Sequence, residues 1–180
     1  MRVISGKAKG MGLFSPQGNS IRPTSDYVKE SLFNLIGHDI YNAEFLDLFA
    51  GSGGVGIEAL SRGAASATFI DISQKSIHLI RRNLQKTRLF ENAVLLKGEL
   101  PNTLKKLDGQ KFDIIFLDPP YFRDFAAKML DSILKLDILH EDGYIALEAG
   151  EFDEIPPHPS LKIFKERVYS STKLVFMEVL

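Results

Sequence analysis

The residues most informative about chemistry form the tetrapeptide Asp118-Pro119-Pro120-Tyr121. Two successive prolines fix the backbone and remove two N–H donors, so the segment presents acceptors, namely the Asp118 carboxylate and the Pro119 carbonyl. Two acceptors held side by side match a planar amino group, which has two N–H donors. The ring of Tyr121 follows at once and can stack on the face of a base. The tetrapeptide therefore predicts a site for an exocyclic amino group.

This binding mode would help an exocyclic amine to react. Its lone pair is delocalised into the ring, so the nitrogen is a poor nucleophile. Hydrogen bonds from both N–H groups to Asp118 and Pro119 would favour a more tetrahedral nitrogen, and aligned acceptors would stabilise the positive charge that develops on it. Asp118 could also take the departing proton, directly or through water. The competing interpretation is a rigid turn with a satisfied aspartate.

A second candidate site is the glycine-rich segment 47–56, DLFAGSGGVG, between a predicted strand and a predicted helix. Its glycines let the backbone turn sharply and approach a ligand, and the helix N-terminus adds partial positive charge. The Asp47 carboxylate suits a ligand with an ammonium group and a sulfonium, as S-adenosylmethionine has. Asp71, after the next strand, could accept both hydroxyl protons of a ribose. The predicted cofactor-binding residues are Asp47, Phe49, Ala50, Gly51, Ser52, Gly53, Asp71, Ile72, Gly98 and Glu99.

The same glycines permit another interpretation. Gly51, Gly53 and Gly56 satisfy G-x-G-x-x-G, so a nicotinamide-dependent dehydrogenase competes. Three features disfavour it: the strand before the loop carries an acid, the chain is short for a dinucleotide domain plus a substrate domain, and nothing resembles a hydride-transfer site. A glycine-rich turn without a ligand is the remaining alternative.

Alternating apolar runs and helical stripes predict the elements that position these residues. Strands are predicted at 45–49, 67–70, 93–96, 112–117, 144–147, 161–168 and 172–179, and helices at 55–62, 74–87, 101–107 and 125–136. Strands alternating with helices indicate an α/β fold with a mostly parallel sheet covered on both faces. The last two strands have no helix between them and predict an antiparallel hairpin. Ligands bind at the carboxyl ends of such strands, so both candidate sites should converge on one crevice.

The N-terminal segment predicts a different organisation. Residues 1–20 are Gly-rich and polar, which indicates an arm or hairpin before a domain over 21–180. The next helix should begin after Thr24 or Ser25 as N-cap and end at Gly37.

Charge distinguishes this segment as well. Residues 1–29 carry five cations against Asp26 alone, a net +4, although the whole chain has a net charge of −1. A local basic arm can bind phosphate, and an ordinary solvated tail would look the same. The candidate RNA-binding residues are Arg2, Lys7, Lys9 and Arg22.

Length and composition limit the class of protein. The 180 residues suffice for one domain with a buried core, and 44% hydrophobic and 25% charged residues are typical of globular proteins. The absence of cysteine excludes disulfides, thiolate metal ligands and a thiol nucleophile. No apolar run is long enough to span a bilayer, and the N-terminus lacks the apolar segment of a signal peptide. We expect a cytoplasmic monomer that binds no metal ion and does not associate with a membrane.

Several segments resemble the RsmD family of 16S ribosomal RNA guanine-N2 methyltransferases. The matching segments, in family order, are RVISG at 2–6, RPTSDYVKESLFN at 22–34, DLFAGSG at 47–53, GIEALSRGA at 56–64 and DPPY at 118–121. The Arg-Pro-Thr-x-Asp block is far more diagnostic than the glycine loop or the Asp-Pro-Pro-Tyr segment. Beyond Phe125 the match is loose.

The resemblance implies a class I S-adenosylmethionine-dependent methyltransferase, with a Rossmann-like, seven-stranded, mostly parallel sheet and an N-terminal hairpin. It implies 16S ribosomal RNA within the small ribosomal subunit, or an assembly intermediate, as the partner. The resemblance also implies roles for particular residues: Asp47, Gly51, Gly53 and Asp71 bind the cofactor, Asp118 to Tyr121 hold the guanine amino group, and Arg22, Thr24 and Asp26 lie near the cofactor or the RNA, with Thr24 and Asp26 assigned to the cofactor.

Other substrates are compatible with the same acceptors. A segment of two prolines and an aromatic residue serves any planar amine or amide, so methylation of adenine N6 or of a protein glutamine is an alternative. Aspartate at 118 and the block that begins at Arg22 favour an RNA base. A non-catalytic RNA-binding module that keeps the fold is a further alternative, against which the intact Asp118 and glycine loop argue.

Two further observations concern where positive charge lies in the sequence. The arm reads Lys9-Gly10-Met11 where the family commonly has an Arg-Gly-Arg-type element, which weakens the expected phosphate contact. Elsewhere, five cations fall within one predicted helix and the residue after it, at Lys75, Arg81, Arg82, Lys86 and Arg88. Such a run is usually a solvated face, and it could also contact RNA.

Overall fold

The structure is a computed structural model and describes residues 1–15, 25–119 and 122–180. Within these residues the elements are α1 Asp26–Ile36, β1 Glu44–Leu48, α2 Gly54–Arg62, β2 Ser66–Asp71, α3 Gln74–Thr87, β3 Ala93–Lys97, β4 Phe112–Leu117, α4 Phe122–Lys135, β5 Leu139–Gly150, β6 Leu161–Tyr169 and β7 Thr172–Val179. Short 3₁₀ segments occupy Gly37–Ile40, Phe90–Asn92 and Asn102–Leu107.

The strands form one seven-stranded sheet in the order β3-β2-β1-β4-β5-β7-β6. The first five strands in this order are parallel, whereas β7 runs antiparallel to both β5 and β6. The predicted class I methyltransferase fold is therefore confirmed, including its antiparallel hairpin. The chain moves outward in one direction from β1 to β3 and then returns beside β1 with β4. This reversal opens a crevice at the carboxyl ends of β1 and β4.

Each face of the sheet packs against different elements, because alternate side chains of a strand point to opposite faces. The first face carries Phe45, Phe69 and Phe116, and it is covered by α1, α2, α3 and the N-terminal residues. The second face carries Leu46 and Ile115, and it is covered by α4 and the Asn102–Leu107 segment. Both faces are buried, as the apolar runs of the central strands predict.

Helix ends follow the predicted capping signals. Ser25 is the N-cap of α1 and accepts a hydrogen bond from the Val28 N–H at 3.1 Å, and Gly37 is the C-cap. Gly63 ends α2 in the left-handed conformation, at φ 109°. Ser73 caps α3 through the N–H of Ser76. These local signals fix both ends of α1, the end of α2 and the start of α3.

Three predicted elements differ clearly from the observed ones, and several other ends are off by one residue. α4 begins at Phe122 rather than 125, because Arg123 and Asp124 interrupt the apolar pattern in the sequence on which the prediction depended. β5 extends over Leu139–Gly150 rather than 144–147, since it continues through the polar residues before Gly143 with an irregular register against β4. The segment predicted as a helix from Pro101 is a 3₁₀ segment that starts one residue later.

The N-terminal residues form the predicted hairpin. Arg2 and Gly12 make an antiparallel bridge, and the Val3 N–H donates to the Met11 carbonyl at 2.9 Å. This hairpin packs on the first face instead of projecting from it, because Val3, Ala8 and Leu13 are buried in the core. The predicted boundary at residue 20 lies outside the described residues.

At the other end of the chain, β6 is an edge strand. It has an irregular register against β7 between Ile163 and Lys165. The Nζ of Lys165 reaches across to the carbonyl of Leu35, at the end of α1, at 3.2 Å. Among the helices in the described residues, none is long and apolar enough to cross a membrane.

Candidate active site

Three aspartates meet at the carboxyl edge of the sheet. Asp47 is the penultimate residue of β1, Asp71 is the last residue of β2, and Asp118 directly follows β4. The register pairs Leu48 with both Ile70 and Leu117, so Asp71 and Asp118 lie at the same height and Asp47 lies two residues below them. The charges of Asp118 and Asp71 both act on the Asp47 carboxyl and contribute to raising its pKa. The structure therefore brings the two predicted sites together in one crevice.

Asp47 connects the sheet to α2. Its side chain is buried, and its Oδ2 accepts a hydrogen bond from the Gly56 N–H at 2.9 Å. Burial raises the pKa of Asp47 to about 7, and the negative charges of Asp118 and Asp71 add to the rise, while the bond from Gly56 opposes it. The carboxyl therefore fixes the start of α2 beneath the loop, and a cation bound in the crevice would favour its ionised form.

The glycine loop has an unusual backbone. Phe49, Gly51 and Gly53 all have positive φ, at 64°, 54° and 77°. A Cβ on Gly51 would meet nothing closer than the Phe49 carbonyl oxygen at 3.9 Å, whereas a Cβ on Gly56 would lie 2.3 Å from the Phe69 ring. Gly56 thus allows α2 to pack closely on β2, and Gly51 leaves open space above the loop in which a ligand can lie.

Asp71 contacts the same loop. Its Oδ2 accepts a hydrogen bond from the Gly51 N–H at 2.9 Å, and its Oδ1 accepts one from the Ser73 N–H at 2.7 Å. Ser73 caps α3 through its side chain, and Asp71 accepts from two further backbone N–H groups at this turn, which need acceptors. Each carboxylate oxygen retains further accepting capacity for a hydroxyl.

Next to Asp71 lies a surface suited to a nucleoside. Ile72 is 63% exposed although it is apolar. The Gly98 N–H donates to the Asp71 carbonyl at 3.1 Å, which holds the ends of β2 and β3 together, and the side chain of Glu99 is exposed. The three predicted residues Ile72, Gly98 and Glu99 are therefore neighbours of Asp71.

The acceptor segment lies on the other side of the loop. Asp118 is half-buried, and burial raises its pKa to about 6. Pro119 is buried, and Pro120 and Tyr121 lie outside the described residues. The ring of Phe49 packs edge-on against Phe125 of α4, with 5.5 Å between the ring centroids. This contact joins the glycine loop to the helix that follows the acceptor segment.

The residues of this crevice fit S-adenosylmethionine. The space above Gly51 admits a ligand, the acids Asp47 and Asp71 suit its ammonium group and ribose, and the exposed Ile72 suits an adenine ring. Among the described residues, no group of three or more His, Cys, Asp or Glu side chains could hold a metal ion.

Comparison with known proteins identifies the family. The family model described as Conserved hypothetical protein 95 matches residues 1–178. The chain belongs to this family, the RsmD family. The protein is accordingly a class I methyltransferase whose cofactor is S-adenosylmethionine.

Members of the RsmD family and related structures align over most of the chain. YlbH of Bacillus subtilis is 42% identical over 158 residues, which are 87% of this chain and 86% of YlbH. Ribosomal RNA small subunit methyltransferase D of Escherichia coli K12 is 34% identical over 149 residues, 83% of this chain and 71% of that protein. The solved structure of yhhF from Escherichia coli superposes with a TM-score of 0.87 at 30% identity, covering 99% of this chain and 97% of its own.

The Arg-Pro-Thr-x-Asp block of this family member is described only from Ser25 onward, so Arg22 and Thr24 lie outside the described residues. The Asp26 carboxylate accepts a hydrogen bond from the Arg2 N–H at 3.4 Å and pairs with Lys29 at 3.7 Å. Asp26 therefore joins α1 to the hairpin. Met1, the residue before Arg2, places its sulfur 3.6 Å from the Ser52 hydroxyl of the glycine loop.

The basic arm is less basic than its sequence suggests. Arg2, Lys7 and Lys9 are exposed, as a phosphate contact requires. Lys29, which contributed to the net charge of +4, is buried, and its ammonium pairs with Glu58 at 3.7 Å. It is therefore a structural cation and is not available to RNA.

Sequence reasoning missed the residues that dock the hairpin. Glu58 is fully buried in α2, and its carboxylate accepts hydrogen bonds from the Ile4 and Ser5 N–H groups at 2.8 and 2.9 Å and from Arg62 at 2.8 Å. A glutamate between apolar helix residues was the available signal, since a buried acid needs several partners.

Asn83 of α3 performs a similar role. Its side-chain oxygen accepts from the Phe14 N–H at 2.8 Å, and its amide donates to the carbonyls of Phe14 and Ser52 at 3.0 and 2.9 Å. One buried amide thus ties the end of the hairpin to the glycine loop.

Proposed function

We propose that this protein transfers a methyl group from S-adenosylmethionine to the exocyclic N2 amine of a guanine in 16S ribosomal RNA. Membership of the RsmD family and the name of the Escherichia coli relative support a ribosomal RNA substrate. The small subunit or one of its assembly intermediates is the proposed form of that substrate, and we place the reaction in the cytoplasm and assign it to a monomer.

The observation that carries the proposal is the position of Asp118. Its carboxyl lies at the end of β4, beside the glycine loop, and close enough to Asp47 for its charge to raise the pKa of that residue. A donor held over Gly51 and an amine held by Asp118 would therefore share one crevice. Positioning of two reactants in this way supplies a large part of the acceleration in a bimolecular transfer.

The cofactor-binding roles assign one part of the ligand to each group of residues. When bound, S-adenosylmethionine supplies an electrophilic methyl group on sulfur. In the proposal, Asp71 accepts hydrogen bonds from the ribose, Ile72 and the Gly98–Glu99 backbone contact the adenine, and the loop from Phe49 to Gly53 binds the amino-acid part. Asp47 balances the ligand's ammonium charge from beneath, and Thr24 and Asp26 are assigned to the cofactor, as the family resemblance implies.

The guanine amine is assigned to the acceptor segment. The Asp118 carboxylate and the Pro119 carbonyl would each accept one N–H, which orients the nitrogen and stabilises the positive charge that develops on it. Asp118 then takes the proton that the nitrogen loses, directly or through water. Pro120 keeps the segment rigid, and Tyr121 stacks on the base, which must be flipped out if it lies in a duplex.

The protonation state of the Asp118 carboxyl matters for this role. Burial raises its pKa to about 6, so the carboxylate that accepts hydrogen bonds dominates only above that pH. A pKa near the working pH also suits a group that must receive a proton and release it again. The proposed activity should accordingly increase as pH rises through about 6.

The experiment compares Asp118→Ala, Asp118→Asn and the control Asp137→Asn, because asparagine tolerates the positive φ of 51° at this position. Asp137 is an exposed acid paired with Lys111, two residues before β5 and at the opposite edge of the sheet from the crevice. Purified small ribosomal subunits that lack the modification are incubated with labelled cofactor, and the methylated base is located by mass spectrometry. We expect the Asp118 variants to lose turnover by at least about 100-fold while cofactor binding by calorimetry persists, because a positioned acid–base group contributes about that much or more.

Each outcome bears on a different part of the proposal. Unchanged turnover in Asp118→Ala would remove the catalytic assignment. Methylation at an adenine N6 would replace guanine as the substrate, and methylation of a ribosomal protein glutamine would replace RNA. The control variant should match the wild type throughout.

A further inference from the structure

The solvent face of α3 is unusually basic. Lys75, Arg81, Arg82 and Lys86 within the helix and Arg88 directly after it are all exposed, and residues 74–88 contain no acid. In the part of the chain that the structure describes, none of these five cations forms an ion pair. The whole chain has a charge of −1 and residues 74–88 carry +5, so the other residues together carry −6. Positive charge is therefore concentrated on one helix of an otherwise acidic protein.

The cations form an ordered array on this helix. At 3.6 residues per turn, Lys75, Arg82 and Lys86 point in directions within about 40° of one another, and they span about 16 Å along the axis. Arg81 lies about 100° around the helix from Arg82, at the other margin of the exposed face, and Arg88 follows the end of the helix. An array of this length matches several successive phosphates of a nucleic-acid backbone, which carries a charge every few ångströms.

Aromatic rings hold the array in place. The Phe14 ring lies 4.3 Å from the guanidinium carbon of Arg82 and 4.5 Å from the Nζ of Lys86. The guanidinium of Arg81 lies 5.3 Å from the centre of the Phe90 ring. Phe14 is itself fixed by Asn83, so two of the cations are oriented before a ligand arrives. Prior orientation lowers the entropy lost on binding.

The position of α3 connects the array to the active site. The helix begins three residues after Asp71, at the edge of the sheet that carries Asp118. The opposite edge is acidic, because a cavity of about 490 Å³ there is lined by Asp39, Asp113, Asp142 and Glu178. A polyanion would therefore be attracted to the α3 side of the sheet and repelled from the amino ends of β4 and β5.

We propose that the α3 face, defined as Lys75, Arg81, Arg82, Lys86 and Arg88, binds the phosphate backbone of the substrate RNA outside the target nucleotide. This surface complements the N-terminal arm, whose Lys29 is buried and whose exposed cations are few. The inference rests on the proposed function for the identity of the polyanion, and it adds the surface along which that RNA lies.

The test measures how binding depends on salt. A triple variant, Lys75→Gln, Arg82→Gln and Lys86→Gln, is compared with Lys105→Gln, Lys106→Gln and Lys128→Gln, which removes the same charge from exposed positions on the other side of the sheet. Binding of a 16S ribosomal RNA transcript is measured without cofactor at several salt concentrations. Each lost phosphate contact lowers the slope of log K against log salt by about 0.7 to 0.9, so the α3 variant should lose about 2 units of slope.

The outcomes separate this inference from the proposed function. Equal slopes for the α3 variant and its control would overturn the inference even if the wild type methylates the small subunit. A lower slope for the α3 variant alone supports it, provided that both variants keep the wild-type cofactor affinity and circular dichroism. A second variant, Phe14→Leu, keeps every charge and should weaken binding several-fold with the slope unchanged. Failure of the wild type to methylate ribosomal RNA would instead reject the proposed function.

Discussion

The two faces of the sheet are stabilised in different ways. The second face, under α4, is a contiguous set of aliphatic side chains such as Leu130, Ile133 and Leu147. The first face also has an apolar core, but it contains the buried polar groups Lys29, Asp47, Glu58, Ser61 and Asn83. Most of these polar groups bind the backbone of the hairpin or of the glycine loop.

The difference shows what each face contributes. Apolar packing stabilises α4 without specifying its orientation closely, since it is non-directional. Buried hydrogen bonds are directional, and they hold the hairpin against α2 and α3 in one arrangement. The polar first face therefore sets the geometry of the loop that contacts the cofactor, while the second face mainly supplies stability.

The largest effect is expected from Glu58→Ala. The change leaves the buried Lys29 with the partly exposed Asp26 as its remaining acidic partner and removes the acceptor of the Ile4 and Ser5 N–H groups. Breaking a buried ion pair in this way costs about 3 to 5 kcal/mol. Chemical denaturation would measure the loss in the free energy of unfolding.

Leu130→Ala on the second face is the matched comparison. It should cost about 3 kcal/mol through the cavity that it leaves, but it should not change cofactor affinity in the folded protein. A double variant, Lys29→Met with Glu58→Leu, should recover part of the Glu58→Ala loss. A decrease of less than about 1 kcal/mol in the free energy of unfolding of Glu58→Ala would contradict the conclusion that buried polar groups stabilise the first face.

Asn83→Ala should have an intermediate effect. It removes hydrogen bonds to Phe14 and to the Ser52 carbonyl, at a cost of about 1 to 3 kcal/mol for the groups left unpaired. Because Ser52 belongs to the glycine loop, calorimetry should also show weaker binding of S-adenosylmethionine. The control is Asn92→Ala. Asn92 is an exposed asparagine whose side chain donates to the Ala65 carbonyl. Equal cofactor affinity in both variants would exclude Asn83 from positioning the loop.

The smallest effect within one pH unit is a dependence of stability on pH. Burial raises the folded-state pKa of Asp47 from 3.8 to about 7 and that of Asp118 from 3.8 to about 6. Between pH 4 and 7 the folded state therefore binds more protons than the unfolded state, and stability falls as pH rises, by at most about 1.4 kcal/mol per pH unit for each group.

Asp47→Asn should reduce this slope and leave the variant more stable than the wild type at pH 8, because no buried carboxylate must then be ionised. Denaturation curves at pH 5, 6, 7 and 8 would measure the slopes. Identical slopes in Asp47→Asn and the wild type would show that Asp47 does not titrate in this range. Asp108→Asn, which changes an exposed acid directly after the Asn102–Leu107 segment, should leave the slope unchanged.

The sequence was sufficient for the order of the elements and the convergence of the loop and acceptor segments. Periodicity and capping residues are local, so they predicted the helix from 74 to 87 and the strands from 112 to 117 and 172 to 179 with the observed bounds. The roles of Glu58 and Asn83 could not be predicted, because their partners lie more than 30 residues away along the chain. The backbone partners of Asp71 could not be predicted either, because they are set by the folded turn.

The edge strand β6 has a consequence for the behaviour of the protein in concentrated solution. An edge strand exposes unpaired N–H and C=O groups, and β6 also exposes Ile163, Phe164 and Val168. Its irregular register beside Lys165 and its exposed charges interrupt the flat surface that a strand of another molecule would need. A straight, uncharged β6 would favour intermolecular strand addition, and the bulge therefore protects the protein against aggregation.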